Sequence, residues 1–296
     1  MKSFETFFEI AKSKVKRRIV IAAAEDDNVL KSIQDGVTSN IVEPIFVGNK
    51  EKIQTLVEEI EFDISKYEII NETNPVKSAQ IAVQVVREGK ADILMKGYVQ
   101  TADFLRAILN KEFGLRKSEL LSHIGFFEIP AYHKIIALTD AAQNVSPDLS
   151  EKIAIIQNAV DMFHHLGELN PKVAILAAVE SVNPKMVATI DAAALTVMNC
   201  RGQIKGCLID GPLAFDNAVS KEAAEHKGIK SDVAGDADLL VTPDINAGNV
   251  LYKSFTLFAK GTVAAIVLGA SVPIVLTSRS DTDRSKLASV ALAACY

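Results

Sequence analysis

Cysteine is scarce in this chain: Cys200, Cys207 and Cys295 are the only ones among 296 residues, and no two stand in a CxxC pair. An odd number without that spacing supports neither a disulfide framework nor a zinc site, so reduced thiols in the core are expected. A basic excess is missing too. The 32 Lys and Arg against 37 Asp and Glu leave a formal charge of −5, the wrong sign for a nucleic-acid binder, so local groups must hold any bound anion. Long apolar runs are also lacking. The most apolar stretch, Gly261 to Leu276, is broken by Gly269, Ser271 and Pro273 before it reaches the ~18 to 20 residues of a bilayer span. The opening residues MKSFETFFEIAKSKVKRR place their basic cluster after the apolar positions, with no cleavable apolar core. A cytoplasmic protein without membrane contact is the expectation.

Several chemical signatures are absent as well. No GxGxxG follows the first strand-like segment, VIAAAEDDNV, and neither GxxxxGK[ST] nor GxSxG occurs. Their absence weighs against a nicotinamide fingerprint, a P-loop hydrolase and a serine esterase. His164 and His165 are neighbours in sequence, and side chains one residue apart diverge by about 100° on a helix. They read as a helix-surface pair, and no metal site is expected.

What is present is the composition of a folded enzyme, with 49% hydrophobic and 23% charged residues. Short β-branched runs alternate with stretches of helical period, the pattern of a parallel sheet covered by helices, so the fold class is α/β. The predicted strands are Arg18 to Ala23, Pro44 to Val47, Tyr67 to Ile70, Asp92 to Met95, His123 to Phe127 and Ile135 to Leu138. A second series follows: Val173 to Ala178, Gly206 to Asp210, Leu239 to Thr242, Val263 to Leu268 and Pro273 to Thr277. Predicted helices include Asn28 to Thr38, Lys50 to Ile60, Val76 to Glu88, Ala102 to Asn110, Glu151 to Leu166 and Asp283 to Ala294, with Asn49 and Thr101 at N-cap positions. The polar stretch Asp140 to Ser150 is the candidate passage into a second lobe.

In α/β sheets, ligands gather beyond the carboxyl ends of strands, where loops feed helix N-termini. Three junctions of this kind stand out. In ADILMKGYVQTADFLRAIL a strand ends at Lys96 and a helix opens at Thr101; amides at that helix start, with Lys96 and Arg106, suit a phosphate-like anion. A plain turn with a capping threonine is the ordinary alternative. In ADLLVTPDINAGNVLYKSF, Asp244, Asn246, Gly248 and Asn249 stand at a helix start, where Gly248 permits close approach and the polar side chains can orient a ligand. In VPIVLTSRSDTDRSKLASVALA, Ser278 and Arg279 set a hydroxyl and a fixed cation beside a helix start. Asp281 and Asp283 are candidate bases there, although Ser280 and Asp283 also fit a capping box.

Taken together, the blocks ADILMKGYVQTADFLRAIL, ALTDAAQNVSPDL, IDGPLAFDNA, AGDADLLVTPDINAGNVLYK and SVPIVLTSRSD resemble the phosphate acetyltransferase and butyryltransferase family. They occur in that family's order through nearly the whole chain. The resemblance implies a two-lobed, three-layer αβα fold like that of isocitrate and isopropylmalate dehydrogenases, with the active site in the cleft. It implies a first lobe of residues 1–139 plus about 265–296 and a second of 140–264. It further implies coenzyme A and phosphate as substrates, no metal or tightly bound cofactor, and a dimer or larger homo-oligomer. The acetyl branch carries a catalytic aspartate six residues after the arginine matching Arg279, where this chain has Ser285. The MKGYVQT block is more like the butyryl branch, so a four- or five-carbon acyl group is expected.

The chemistry so implied is attack of phosphate on the thioester carbonyl of an acyl-CoA, giving acyl phosphate and a thiolate. Arg279 is expected to hold the phosphate, Ser278 and the backbone amides of the Asn246 to Asn249 turn the oxyanion, and Asp281 or Asp283 to act as base toward the thiol. Rival readings are a phosphate acetyltransferase of the same family, an NAD(P)-dependent dehydrogenase of the same fold, and a non-catalytic anion-binding protein.

Overall fold

The computed structural model describes residues 1–276 and 281–296. The chain divides into two compact units, one made of Glu5–Ser118 with Ala264–Tyr296, the other of Met1–Phe4 with Glu119–Val263. The first unit runs α1 (Glu5–Ser13), β1 (Arg17–Ala22), α2 (Asp27–Thr38), β2 (Val42–Gly48), α3 (Lys50–Glu59), β3 (Glu68–Asn71), α4 (Pro75–Arg87), β4 (Ile93–Lys96) and α5 (Thr101–Ile108). The second holds β5 (Ser122–Glu128), β6 (Ile136–Thr139), α6 (Leu149–His165), β7 (Lys172–Leu176), α7 (Val187–Cys200), β8 (Leu208–Leu213), α8 (Phe215–Val219), α9 (Lys221–His226), β9 (Leu239–Val241) and α10 (Ile245–Leu257). The chain then runs through β10 (Thr262–Leu268), β11 (Ile274–Val275) and α11 (Asp283–Ala294).

In the first unit the strand order is β3-β2-β1-β4-β11-β10, parallel except for the antiparallel pairing of β10 with β11. Ile19 to Ala22 of β1 are fully buried, as a parallel strand with helices over both faces requires. Helix starts follow their caps: the Asp26 side chain accepts from the Val29 amide, Asn49 from Lys52, and Asn74 from Val76 and Lys77 just ahead of Pro75. Thr101 is not a cap. It is the first residue of α5, and the cap position belongs to Gln100, whose side chain makes no capping bond. The strands run from β1 to β3 in one direction, and β4 then lies on the other side of β1. Right-handed crossovers therefore put α2 and α3 on one face and α4 on the other; α2 packs with α3 and α11, and α4 with α5.

In the second unit the order is β5-β6-β9-β7-β8, with only β5 antiparallel to its neighbour. The β5–β6 hairpin belongs here, ahead of a division after residue 139, because β6 is paired along its length with β9. Alternation along β5 is visible in its aromatics: Phe126 meets Phe163 of α6 at 5.2 Å, and Phe127 meets Tyr252 and Phe255 of α10, each at 5.1 Å. β8 begins after Gly206, which sits in a turn at φ 76°, and runs through Pro212. An edge strand tolerates the missing amide. The amino ends of β6, β7 and β9 are stapled by charge. Asp236 takes bonds from Lys172 at 2.6 Å, Lys134 at 2.9 Å and His133 at 2.8 Å, and Lys134 also pairs with Asp238 at 2.7 Å.

Two of the three cysteines are core thiols as expected. Burial pushes Cys207 up to about 11 and Cys295 up to about 12, whereas Cys200 is exposed at the end of α7. His164 and His165 lie in the last turn of α6. His164 bonds the Gly206 carbonyl at 2.8 Å.

Candidate active site

A parallel sheet leaves an opening at the carboxyl ends of two adjacent strands whose helices depart to opposite faces. In the first unit β1 and β4 are such a pair, and the loop that leaves β4 is Lys96 to Gln100. Gly97 donates to the Ala22 carbonyl at 2.8 Å and Tyr98 to Ala23 at 2.6 Å, so this loop is laid directly on the end of β1. Lys96 curls over its own loop, with Nζ donating to Gly97 O at 3.2 Å and Val99 O at 3.1 Å. The amides of Thr101, Ala102 and Asp103 make no hydrogen bond with any described residue. An uncapped helix start beside a lysine is a place for an anion. Arg106 is mostly exposed and is held by Asp103 one turn back, so of the three residues expected here Lys96 and Thr101 share one loop and helix start and Arg106 is turned toward a local partner.

The second unit repeats the arrangement with β6 and β9, whose loops lead to α6 and α10. These loops are tied together. Thr242 Oγ1 donates to Asp140 O at 3.2 Å, Asn249 Nδ2 to Ala141 O at 3.3 Å, and the Ile245 amide to Val145 O at 3.1 Å. A Cβ on Gly248 would fall within 3.0 Å of Asp140 O and Thr242 Oγ1, so only glycine allows this seat. The amides of Asn246 and Ala247 are taken by the Asp244 side chain at 2.8 and 3.1 Å. That occupation corrects one expectation: Asp244 is the cap of α10, and it leaves side chains, not amides, of Asn246 and Asn249 as groups to offer a ligand. His123, also at this end, is 7% exposed, lies 5.6 Å from the Tyr252 ring, and has a buried Nδ1 with no hydrogen-bond partner among the described residues. Burial holds its imidazole below the ordinary value, with Asp140 opposing.

At the third junction Ser278 and Arg279, with Ser280, lie outside the described residues. β11 ends level with β4, Val275 beside Met95, and Asp281 is the next described residue ahead of α11. Thr282 is the cap, accepting from the Ser285 amide at 3.2 Å, so Asp283 is the first helical residue and not the partner in a box begun at Ser280. Asp283 faces Lys286 at 3.8 Å with most of its side chain exposed, and its charge acts on Lys31 and Asp35 of α2. Ser285 is buried under the cap.

Sequence reasoning passed over His123, Asp140, Asn144 and Thr242. The block ALTDAAQNVSPDL contains two of these, and an aspartate directly after an apolar strand is the signal that points to them. Among the described residues no group of His, Cys, Asp and Glu is arranged to hold a metal ion, and no helix is long and apolar enough to cross a membrane.

An α/β protein with its polar groups gathered at two such openings is built to handle small charged ligands, and comparison with known proteins narrows the class. The family model described as "Phosphate acetyl/butaryl transferase" matches residues 3–80 and 73–294. A phosphate butyryltransferase of Clostridium acetobutylicum is 46% identical over 294 residues, covering 99% of this chain and 98% of its own. A probable phosphate butyryltransferase of Bacillus subtilis is 47% identical over 279 residues, covering 94% and 93%. The crystal structure of a branched-chain phosphotransacylase from Enterococcus faecalis superposes with a TM-score of 0.82 at 34% identity, covering 95% of this chain and 99% of the other. A 4-hydroxythreonine-4-phosphate dehydrogenase from Klebsiella pneumoniae, at 12% identity and a TM-score of 0.58 over 94% and 98%, shares the fold alone. The chain belongs to the phosphate acetyl/butyryl transferase family and is an acyltransferase.

Proposed function

We propose that this enzyme moves a short acyl group reversibly between coenzyme A and inorganic phosphate, giving acyl phosphate, and that it prefers groups of four or five carbons. The names of the Clostridium and Enterococcus relatives favour butyryl and branched-chain groups over acetyl, as does the MKGYVQT block. The observation that carries the phosphate half is the uncapped start of α5 beside Lys96, at the opening between β1 and β4.

In this reading Lys96, the amides from Thr101 to Asp103, and Arg279 are the ligands of phosphate or of the acyl phosphate. Arg106 joins them when it leaves Asp103. Phosphate attacks the thioester carbonyl, the oxyanion is met by Ser278 and the side chains of Asn246 and Asn249, and the thiolate departs. A thiol has an ordinary pKa of ~8.5, so the reverse direction gains from a base; Asp281 is preferred to Asp283, whose surroundings are the charges of α2 and α11. Coenzyme A and phosphate act as substrates, and the chemistry needs no resident cofactor. A cytoplasmic location is proposed with it. A homo-oligomer is also proposed: α7 lays Val187, Ile190 and Val197 on one exposed face, a surface suited to a second copy. Thiol release from acyl-CoA with and without phosphate tests the reaction.

A further inference from the structure

We infer that Asp140 is a positioning residue of the acyl-transfer site: it shapes the loop on which the start of α10 is seated, and thereby sets where Asn246 and Asn249 stand. The inference rests on the reading above that these asparagines serve the substrates.

Asp140 is 4% exposed and has no ion-pair partner among the described residues. Its oxygens are instead filled by hydrogen-bond donors. Oδ1 accepts from the Ala142 amide at 2.8 Å and the Gln143 amide at 2.9 Å. Oδ2 accepts from the His123 amide at 3.1 Å and from Asn144 Nδ2 at 2.6 Å, and Asn144 is itself anchored on Leu121 O at 2.9 Å. Four donors occupy the lone-pair sites of both oxygens, which leaves this carboxylate nothing to offer a substrate. Its effect is on conformation.

The segment so held turns three carbonyls toward the next junction. Asp140 O accepts from Thr242, Ala141 O from Asn249 and Val145 O from the Ile245 amide. Each of these partners belongs to the Thr242 to Asn249 junction, and Gly248 lies against the same segment. With one Nδ2 hydrogen on Ala141 O, the Asn249 carboxamide is fixed at a place the loop dictates, and its Oδ1 accepts no hydrogen bond from a described residue. In Asp140→Asn the side chain keeps its shape but turns one acceptor into an NH2 facing two donors, which relaxes the loop without opening a cavity.

The test is a double-mutant cycle on the full-length enzyme, with phosphate-dependent thiol release as readout, well below each variant's melting temperature. Asp140→Asn and Asn249→Ala are each expected to lower kcat/KM by about 10- to 100-fold, the scale of a misplaced reacting group. The double variant should be at most about threefold slower than the slower single one, because both act through one seat. A merely structural Asp140 would give losses that multiply, and that result overturns the inference, as does a near-normal rate in either single variant. If Asp140→Asn does not fold, Thr242→Val takes its place in the cycle, removing only the hydroxyl on Asp140 O, with the same expectation and the same overturning result. A wild-type enzyme without phosphate-dependent release defeats the functional reading and the inference together, whereas an active wild type with multiplying losses defeats the inference alone.

Discussion

Gly97 and Ala23 are packed backbone to backbone: a Cβ on Gly97 would stand closer to the carbonyl oxygen of Ala23 than to that of Ala22, which it would already approach to 2.8 Å. The contact lays the Lys96 loop on the end of β1. Gly97→Ala forces the loop off the strand, with an expected loss of about 2 to 3 kcal/mol and a fall in turnover as Lys96 moves. Gly89 serves as the comparison, since its φ is 70° with nothing within 4 Å. Gly89→Ala should cost about 1 kcal/mol from backbone conformation and leave turnover unchanged. Urea denaturation and steady-state rates on both variants decide it, and a Gly97→Ala enzyme as stable and as fast as wild type would remove this loop from the site.

Arg279→Ala is expected to lower turnover by at least ~100-fold, the effect of losing one transition-state donor, with an unchanged melting temperature. Near-normal turnover in a folded variant refutes its role. Asp281→Asn should slow the thiol-consuming direction more than Asp283→Asn does. Equal rates for both and for wild type would mean that neither aspartate is the base.

Much of this was legible in the residues themselves, and the rest failed for identifiable reasons. The strands among the described residues left short apolar signatures, clearest in β1, β4 and β9, because buried parallel strands must be apolar on both faces. β8 extended past its expected end only because an edge strand accommodates Pro212. α7 gave little periodic signal: Asp191 is its only charged residue, so apolar positions run around it. At the site, Lys96 and Thr101 were legible as a strand-to-helix junction. The occupation of the Asn246 and Ala247 amides by Asp244 was not, because a cap and an anion site carry the same residues. Asp140 is hard to pick out because three of its four donors are backbone amides, which leave no mark in a sequence.

Asp236 links stability to acid. Burial alone raises a carboxyl, but hydrogen bonds from Lys172, Lys134 and His133 outweigh it and hold Asp236 well below the usual carboxylate range. A depressed folded pKa means the contribution is complete above the ordinary value of ~3.9 and is lost as pH falls below it. Asp236→Asn should therefore lower the melting temperature at neutral pH, and the gap to wild type should narrow below about pH 4. A gap that stays constant down the acid limb contradicts this account of the cluster.

Lys152 on α6 is paired with Asp191 on α7 at 2.6 Å, with side chains 6% and 16% exposed. Asp191→Ala strands a buried ammonium and should cost about 3 to 5 kcal/mol, whereas replacing both partners by apolar residues of similar volume should be near neutral. Denaturation midpoints of the single and double variants measure the difference; a mild Asp191→Ala would show that the pair is not what anchors α7.

The most direct test of the central claim is thiol release by the purified enzyme from a series of thioesters, acetyl-, butyryl-, isobutyryl- and hexanoyl-CoA, with and without inorganic phosphate. The account predicts release that depends on phosphate and is fastest with the four-carbon thioesters. Phosphate-independent release would instead make the protein a thioesterase and contradict it, as would the absence of release from folded enzyme.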